Sequence, residues 1–168
     1  MPGRIYKGAP HRLDRILVET SPVFLVTFNT HRRRPLLANP DVHRAFLAFT
    51  SKSDAQGISV GRYVIMPDHI HVFVGMSLAA TRSLSQWIAG LKQAIGRALL
   101  AMGKKPLKLA GQSLCSFWQP GFHDHLLRSD ESYAKKWEYV RMNPVRAGLV
   151  SGAEEWSYSG EVTPLQRG

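Results

Sequence analysis

Two histidines separated by one residue are the side chains of this sequence best placed to bind a metal ion. His69 and His71 lie in the run His-Ile-His-Val-Phe-Val, whose composition is typical of a strand. Strand side chains alternate between two faces, so both imidazoles would point one way while Ile70, Val72 and Val74 point the other way. Their Cα atoms would then be roughly 6–7 Å apart, close enough to share one metal ion. The same spacing also fits two ordinary histidines on a half-exposed strand.

A tyrosine and an asparagine four positions apart form the second candidate group. Ser129 precedes two acidic residues, which indicates the start of a helix, and Pro144 predicts that this helix ends near Asn143. Tyr139 and Asn143 would then share one face of the last turn. A phenol is a potential nucleophile, and an amide oxygen is a potential ligand for a hard cation. The alternative is a tyrosine packed in the core and an asparagine that caps the helix.

The elements that would position these groups follow from the hydrophobic pattern. Their order is strand, helix, strand, strand, helix, strand, helix, which favours the α+β class with an antiparallel or mixed sheet. Asn39 and Ser83 are the predicted caps of the first two helices. Residues 104–113 are predicted to form a basic loop. The predicted strands are 23–28, 58–66, 69–74, 116–119 and 122–126, and the predicted helices begin at Asn39-Pro40, at Ser83 (ending at Gly103) and at Ser129.

Length and composition indicate one globular domain. The chain has 168 residues, of which 44% are hydrophobic, enough for a core. We expect a basic N-terminal arm over residues 1–20, a single domain that carries both candidate groups over 21–160, and a flexible tail over 161–168. The lone Cys115 excludes an internal disulfide framework and a cysteine-based zinc site, and it fits the cytoplasm. The apolar stretches are too short and too interrupted to cross a membrane.

The charge balance indicates a polyanionic partner. The formal net charge is +10 and the pI is about 10.2, and nucleic acid is a better match than a lipid surface. Each basic cluster taken alone is also compatible with a solvated surface. The candidate phosphate contacts are Arg32, Arg33, Lys104, Lys105, Arg128, Arg141 and Arg146.

Several segments together resemble the single-tyrosine transposases of the His-hydrophobic-His endonuclease superfamily. The most similar branch is that of the REP-associated tyrosine transposases, relatives of the IS200/IS605 insertion-sequence transposases. The resemblance spans residues 23–159, nearly the whole chain. The residues that carry it are 63–71 (Tyr-Val-Ile-Met-Pro-Asp-His-Ile-His), 139–150 (Tyr-Val-Arg-Met-Asn-Pro-Val-Arg-Ala-Gly-Leu-Val), 117–119, 124–128 and 156–159.

This resemblance implies a fold and a reaction. The fold would be a ferredoxin-like antiparallel sheet of about 4–5 strands with helices packed on it, and the histidines would lie on a central strand. Tyr139 would attack single-stranded DNA beside a hairpin-forming palindromic repeat, giving a 5′-phosphotyrosine and a free 3′-hydroxyl. The insertion-sequence relatives usually have glutamine where Asn143 stands, so the shorter asparagine requires a closer approach. The protein would act as a monomer or a homodimer.

The cation follows from the ligand types. His69, His71 and Asn143 would offer two nitrogens and one oxygen, which suits Mg²⁺ or Mn²⁺. Zn²⁺ is also compatible with such ligands.

Three alternatives stay open from the sequence. The chain could be an inactive hairpin-binding protein of the same fold, or a hydrolase that uses a metal-activated water and forms no protein–DNA adduct. The run His123-Asp124-His125 is a rival metal site. Asp68 occupies a position where relatives often have asparagine, and we expect it to serve only the turn before His69.

Overall fold

The structure is a computed structural model that describes residues 21–128 and 130–165. The predicted arm over residues 1–20 and the predicted helix cap at Ser129 therefore lie outside the described residues.

A five-stranded antiparallel sheet forms the centre of the fold, with the strand order β6-β1-β3-β2-β7. The strand that carries both histidines, β3, is the middle strand of the sheet, as predicted. A short hairpin pairs β4, which lies in the segment predicted as a basic loop, with β5, which overlaps the start of the strand predicted over 116–119. The strands are β1 Val23–Asn29, β2 Ile58–Ile65, β3 His69–Met76, β4 Leu107–Lys108, β5 Cys115–Ser116, β6 His123–Leu127 and β7 Ser159–Glu161.

The last strand extends the sheet at its β2 edge. Val64 of β2 pairs with Ser159 of β7. The pairing continues past β7, because the backbone N–H groups of Val162 and Thr163 donate to the carbonyls of Gly61 and Val60. Residues 161–163, which belong to the segment predicted as a flexible tail, are thus bonded to the sheet.

Two helices cover one face of the sheet. Helix α1 (Pro40–Thr50) begins at Asn39, whose side chain accepts a hydrogen bond from the Val42 N–H, and helix α2 (Leu84–Ala101) begins with a capping box at Ser83. Both caps confirm the predictions. Gly103, the predicted end of α2, follows the helix in a left-handed conformation with φ 77°. The buried residues between helices and sheet include Phe46, Trp87, Leu91, Ile95, Ile70, Val72 and Val74.

A third helix covers part of the opposite face. Helix α3 (Asp130–Arg141) packs Trp137 and Val140 against side chains of that face, including Leu25 and Val64. It ends two residues before the predicted boundary, and a short helix, α4 (Asn143–Arg146), follows directly. Pro144 explains the interruption, since it has no N–H to continue the hydrogen bonding of α3 but fits the first turn of a new helix.

The antiparallel α+β architecture predicted from the element order is confirmed. No helix in residues 21–128 or 130–165 is long and apolar enough to cross a lipid bilayer.

Candidate active site

The two histidines lie side by side on the face of β3 opposite to α1 and α2. Their ring centroids are 4.9 Å apart and the rings are nearly perpendicular, at 88°. Ile70, between them, is fully buried on the other face. Both imidazoles therefore lie on the same face of β3, as the alternation of strand side chains predicts.

His71 is the more buried imidazole and is held by the neighbouring strand. Its Nδ1 lies 2.7 Å from the Thr27 hydroxyl oxygen, and Thr27 is its direct partner in the pairing of β1 with β3. Burial lowers the pKa of His71 to about 4, and the nearby charges of His69, Arg146 and Arg33 add to this effect. The neutral form, which can bind a metal ion, is therefore favoured.

His69 is held by a carboxylate. Its Nδ1 lies 2.7 Å from Oδ1 of Asp68, while Oδ2 of Asp68 accepts from Nε of Arg33 at 2.8 Å. Burial opposes ionisation of Asp68, but these hydrogen bonds to His69 and Arg33 outweigh it and keep the pKa of the carboxyl below its usual value. Asp68 lies in the turn before His69, as expected, and its side chain is also bonded to Arg33 and to the adjacent imidazole.

Arg33 belongs to this cluster through its side chain and its backbone. Besides the bond to Asp68, its Nη1 donates to Oδ1 of Asn29 at 3.0 Å. Arg32 and Arg33 both have left-handed backbone conformations, with φ 58° and 55°. Such conformations are uncommon for residues other than glycine and concentrate at functional sites. Arg33, predicted to contact DNA, is therefore also part of the histidine cluster.

The candidate nucleophile, Tyr139, is exposed at the last turn of α3. Its side chain is 65% exposed, whereas the next residue, Val140, is buried against Val64 and Met66. Val64 is the direct partner of His71 in the sheet. The last turn of α3 is thus anchored beside the strand position of His71, with the phenol outside the hydrophobic packing.

Arg146 links the predicted tyrosine, asparagine and histidine. Its Nη2 donates to the Tyr139 carbonyl at 2.6 Å and to Oδ1 of Asn143. Its Cζ lies 4.0 Å from the centroid of the Tyr139 ring, a cation–π contact. Its charge also contributes to the lowered pKa of His71. One guanidinium therefore joins Tyr139 and Asn143, and its positive charge acts on the imidazole of His71.

The other tyrosines have environments that do not suit a nucleophile. The Tyr63 hydroxyl is 2.7 Å from Nε2 of His43, and burial raises the pKa of that phenol. Burial also raises the pKa of Tyr133, whose ring packs against Phe73. Tyr158 packs edge-on against Trp156. Tyr139 is the phenol best exposed to a substrate among these four.

The rival histidine pair lies on the edge strand β6. His123 is paired with Thr27 and His125 with Leu25, so both face the same side as His71, but β1 separates them from it. Within the ranges that the structure describes, no three side chains of the types His, Cys, Asp and Glu are grouped to hold a metal ion.

Most predicted DNA contacts lie outside this cluster. Arg141 is bonded to Glu138 on the surface of α3. Arg34, which follows the two predicted arginines, donates to the carbonyl of Lys105 at 2.9 Å and so connects the 31–34 segment to the β4–β5 hairpin. The exposed predicted residues are Arg32, Arg33, Lys104, Lys105, Arg128 and Arg146.

Sequence reasoning missed the residues that hold the imidazoles. Thr27 lies 44 residues from its partner His71, and Arg33 lies 35 residues from Asp68 and 36 from His69, while Asn29 accepts a hydrogen bond from Arg33. The only sequence signal is that Thr27 and Asn29 alternate with the buried residues of β1. The pairing of Thr27 with His71 and of Asn29 with His69 depends on the register of β1 against β3. The sequence pattern does not define that register.

Comparisons with known proteins identify the family to which this chain is similar. The family model described as "Transposase IS200 like" matches residues 23–143. A REP-associated tyrosine transposase of Escherichia coli (strain K12) is 24% identical over 142 residues, covering 84% of this chain and 78% of that protein. A putative REP-associated tyrosine transposase of Haemophilus influenzae (strain Rd) is 31% identical over 99 residues, covering 56% of this chain and 54% of that protein.

A solved structure supports the fold. The structure described as a REP-associated tyrosine transposase bound to a REP hairpin has a TM-score of 0.62 and 23% identity, and the match covers 88% of this chain and 91% of that chain.

Proposed function

Since the chain belongs to the IS200-like transposase family, we propose that it cuts and rejoins single-stranded DNA beside hairpin-forming repeats, through a 5′-phosphotyrosine on Tyr139. One observation carries this proposal. The exposed Tyr139 and the amide of Asn143 are joined by Arg146 next to the strand that presents His69 and His71.

The reaction would exchange one phosphodiester for another. The Tyr139 oxygen attacks the phosphorus, a new bond forms between them, and the bond from phosphorus to the 3′ oxygen breaks. The phenol proton leaves as the attack proceeds, and the departing 3′ oxygen is protonated to a hydroxyl. The guanidinium of Arg146, 4.0 Å from the ring centroid, would stabilise the negative charge that develops on the phenol oxygen. Rejoining is the same reaction in reverse, with a 3′-hydroxyl as the attacking group.

The residues present fit a divalent cation. The Nδ1 atoms of His69 and His71 are taken by Asp68 and Thr27, so the Nε2 atoms are the ones left to bind. Together with Oδ1 of Asn143 they would hold Mg²⁺ or Mn²⁺. When bound, such an ion withdraws charge from a phosphate oxygen. Arg146, now bonded to Asn143, would have to release the amide for this role and would then be free to contact the phosphate.

The proposed substrate is a hairpin-forming repeat with an adjacent single strand. The similar solved structure is described as bound to a REP hairpin. The net charge of +10 supports a nucleic-acid partner for this chain too. We assign the phosphate contacts to the exposed basic residues Arg32, Lys104, Lys105, Arg128 and Arg146, together with Arg141, and we expect affinity to fall steeply with salt.

A cleavage assay tests the proposal. The substrate is a 3′-labelled single-stranded oligonucleotide with a hairpin, beginning with repeats from the host genome, and the control has the same composition but no palindrome. We expect cutting of the hairpin substrate only, and only with Mg²⁺ or Mn²⁺. Binding of the hairpin without cutting under any cation would contradict the proposal and favour an inactive binding protein. Cutting that never yields a protein–DNA adduct would instead favour a hydrolase that uses activated water.

A further inference from the structure

We infer that Asp68, held by Arg33, is a positioning residue that fixes the tautomer and the orientation of the His69 ring. The inference deepens the proposed function, because it concerns how the same site is made ready for a cation.

The geometry of Asp68 determines where the His69 hydrogen lies. Each carboxylate oxygen has its own partner, with Oδ1 at 2.7 Å from His69 Nδ1 and Oδ2 at 2.8 Å from Arg33 Nε. An ionised carboxylate only accepts hydrogen bonds, so the His69 Nδ1 must carry the hydrogen. In the neutral ring the lone pair is then on Nε2, the nitrogen that remains for a cation. Carboxylates in this position fix metal-binding histidines and raise their basicity.

Arg33 keeps the carboxylate in this orientation. Its Nη2 also lies 3.4 Å from His69 Nδ1. A guanidinium cannot accept a hydrogen bond, so with the hydrogen on Nδ1 this approach is a packing contact rather than a hydrogen bond. A ring turned by 180° would place Cδ2 where Nδ1 now lies, and it would lose the hydrogen bond to Asp68. The arginine thus holds the carboxylate and limits the movement of the ring.

The backbone anchors the same arrangement. The Thr30 N–H donates to the Asp68 carbonyl at 2.9 Å, and the Thr30 hydroxyl donates to the same oxygen at 3.2 Å. Left-handed conformations such as those of Arg32 and Arg33 are unfavourable for residues other than glycine, and they persist only where surrounding contacts enforce them. The bonds of Arg33 to Asp68 and Asn29 are such contacts.

The test combines two measurements on the full chain. Calorimetric titration with Mn²⁺ measures cation affinity, and long-range ¹H–¹⁵N NMR of the imidazoles reports the His69 tautomer without any cation. The variants are Asp68→Ala, Asp68→Asn and Arg33→Ala. The control is Asp41→Ala, which removes an exposed carboxylate that is also paired with an arginine, Arg44, on the surface of α1.

The expected results follow the chemistry of each variant. Asp68→Ala lowers Mn²⁺ affinity about 10- to 100-fold and gives His69 a mixture of tautomers. Asp68→Asn keeps an acceptor oxygen for Nδ1 but loses the ion pair with Arg33. Its Mn²⁺ affinity should therefore lie between those of Asp68→Ala and the wild type. Arg33→Ala should also lower Mn²⁺ affinity, as Asp68→Asn does. Asp41→Ala should leave Mn²⁺ affinity unchanged.

Two outcomes separate this inference from the proposed function. If Asp68→Ala and Asp68→Asn both keep the wild-type tautomer of His69, the positioning role is overturned, whatever the cation affinity. If the wild-type chain does not bind Mn²⁺ but shows the Nδ1–H tautomer, and Asp68→Ala loses it, the positioning role holds and the cation chemistry fails. Should Asp68→Ala not fold, Asp68→Leu, which is similar in size to Asp but offers Nδ1 no acceptor, provides the same comparison.

Discussion

The two faces of β3 differ in burial and polarity at the positions around the two histidines. On one face Ile70, Val72 and Val74 are fully buried under α1 and α2. On the other face His69 and His71 are only partly covered, and each imidazole has a hydrogen-bonding partner at Nδ1. Because strand side chains alternate, a single segment of sequence provides both the core and the candidate reaction centre.

This difference shows how the protein can keep polar groups close to its core. Burying an imidazole without a partner is costly, and Thr27 and Asp68 prevent that cost while leaving Nε2 of each ring available. Burial of the apolar side chains on the opposite face contributes most of what β3 adds to the free energy of unfolding. Substitutions on the two faces should therefore affect different measurements.

The largest effect should come from removing the nucleophile on the polar side. Tyr139→Phe should lower DNA cleavage and adduct formation by at least about three orders of magnitude, because the phenol oxygen is the group that bonds to phosphorus. Its side chain is 65% exposed, so the free energy of unfolding should hardly change. Gel assays with labelled hairpin DNA check the first expectation, and urea unfolding checks the second. Tyr158→Phe is the matched control, and cutting by Tyr139→Phe at the wild-type rate would show that Tyr139 is not the nucleophile.

The next effect should come from the apolar face. Ile70→Ala should lower the free energy of unfolding by roughly 2–5 kcal/mol, since it opens a cavity in a fully buried position. His69→Ala, one residue away on the other face, should cost less than about 1 kcal/mol. Urea unfolding of both variants measures the contrast. A larger loss for His69→Ala than for Ile70→Ala would mean that the two faces do not divide their roles as described.

A pH titration should sharpen the same contrast. The pKa of His71 is about 4 in the folded protein against 6.5 without the fold. Between these values the unfolded chain binds a proton that the folded chain does not, so stability should fall as the pH drops from 6.5 to 4. The loss should be about 3 kcal/mol, and below pH 4 this contribution should change no further.

The matched variant for this titration is His71→Gln, compared with the wild type by urea unfolding at several pH values. His43, whose pKa is also lowered by burial, is present in both proteins, so its contribution cancels in the difference. If both proteins lose the same stability between pH 6.5 and 4, His71 does not have the shifted pKa.

A smaller effect should follow from removing the partner of His71. Thr27→Val keeps the shape of the side chain but removes the hydroxyl next to Nδ1. We expect about a tenfold weaker Mn²⁺ affinity and a loss of roughly 1 kcal/mol in stability. Calorimetry and urea unfolding measure the two quantities. The nearby Ser59→Ala, which removes a hydroxyl from β2, serves as the control, and an equal loss of Mn²⁺ affinity in both variants would contradict a specific role for Thr27.

The smallest effect should come from the basic surface. Replacing Lys104 and Lys105 together by alanine should weaken hairpin binding and lower the slope of log affinity against log salt by roughly 1 to 2. Lys52→Ala, at the end of α1, is the control. Binding measured by fluorescence anisotropy at several salt concentrations gives the slope. An unchanged slope in the double variant would place the DNA elsewhere on the protein.

The sequence predicted the parts of this arrangement that depend on local pattern. The alternation around Ile70 identified both faces of β3, and the caps at Asn39 and Ser83 identified two helix starts. The spacing of Tyr139 and Asn143 identified the residues that Arg146 now links.

The parts that the sequence did not predict depend on contacts between distant segments. The register of β1 against β3 places Thr27 opposite His71, and a shift of one residue would have turned the hydroxyl to the other face. The left-handed backbone of Arg33 allows its bond to Asp68, and no local rule predicts that conformation for arginine. The break at Met142 is a further example, because Pro144 is compatible both with the end of one helix and with the start of another.

The most direct test of the central claim is to identify the residue that becomes attached to DNA. The protein is incubated with a single-stranded hairpin substrate and Mn²⁺, denatured and digested, and the DNA-linked peptide is sequenced by tandem mass spectrometry. Our account predicts one adduct, between Tyr139 and the 5′ phosphate of the downstream strand, together with an upstream strand that ends in a 3′-hydroxyl. Attachment at Tyr63, Tyr133 or Tyr158, or a free 5′ phosphate with no attached protein, would contradict it.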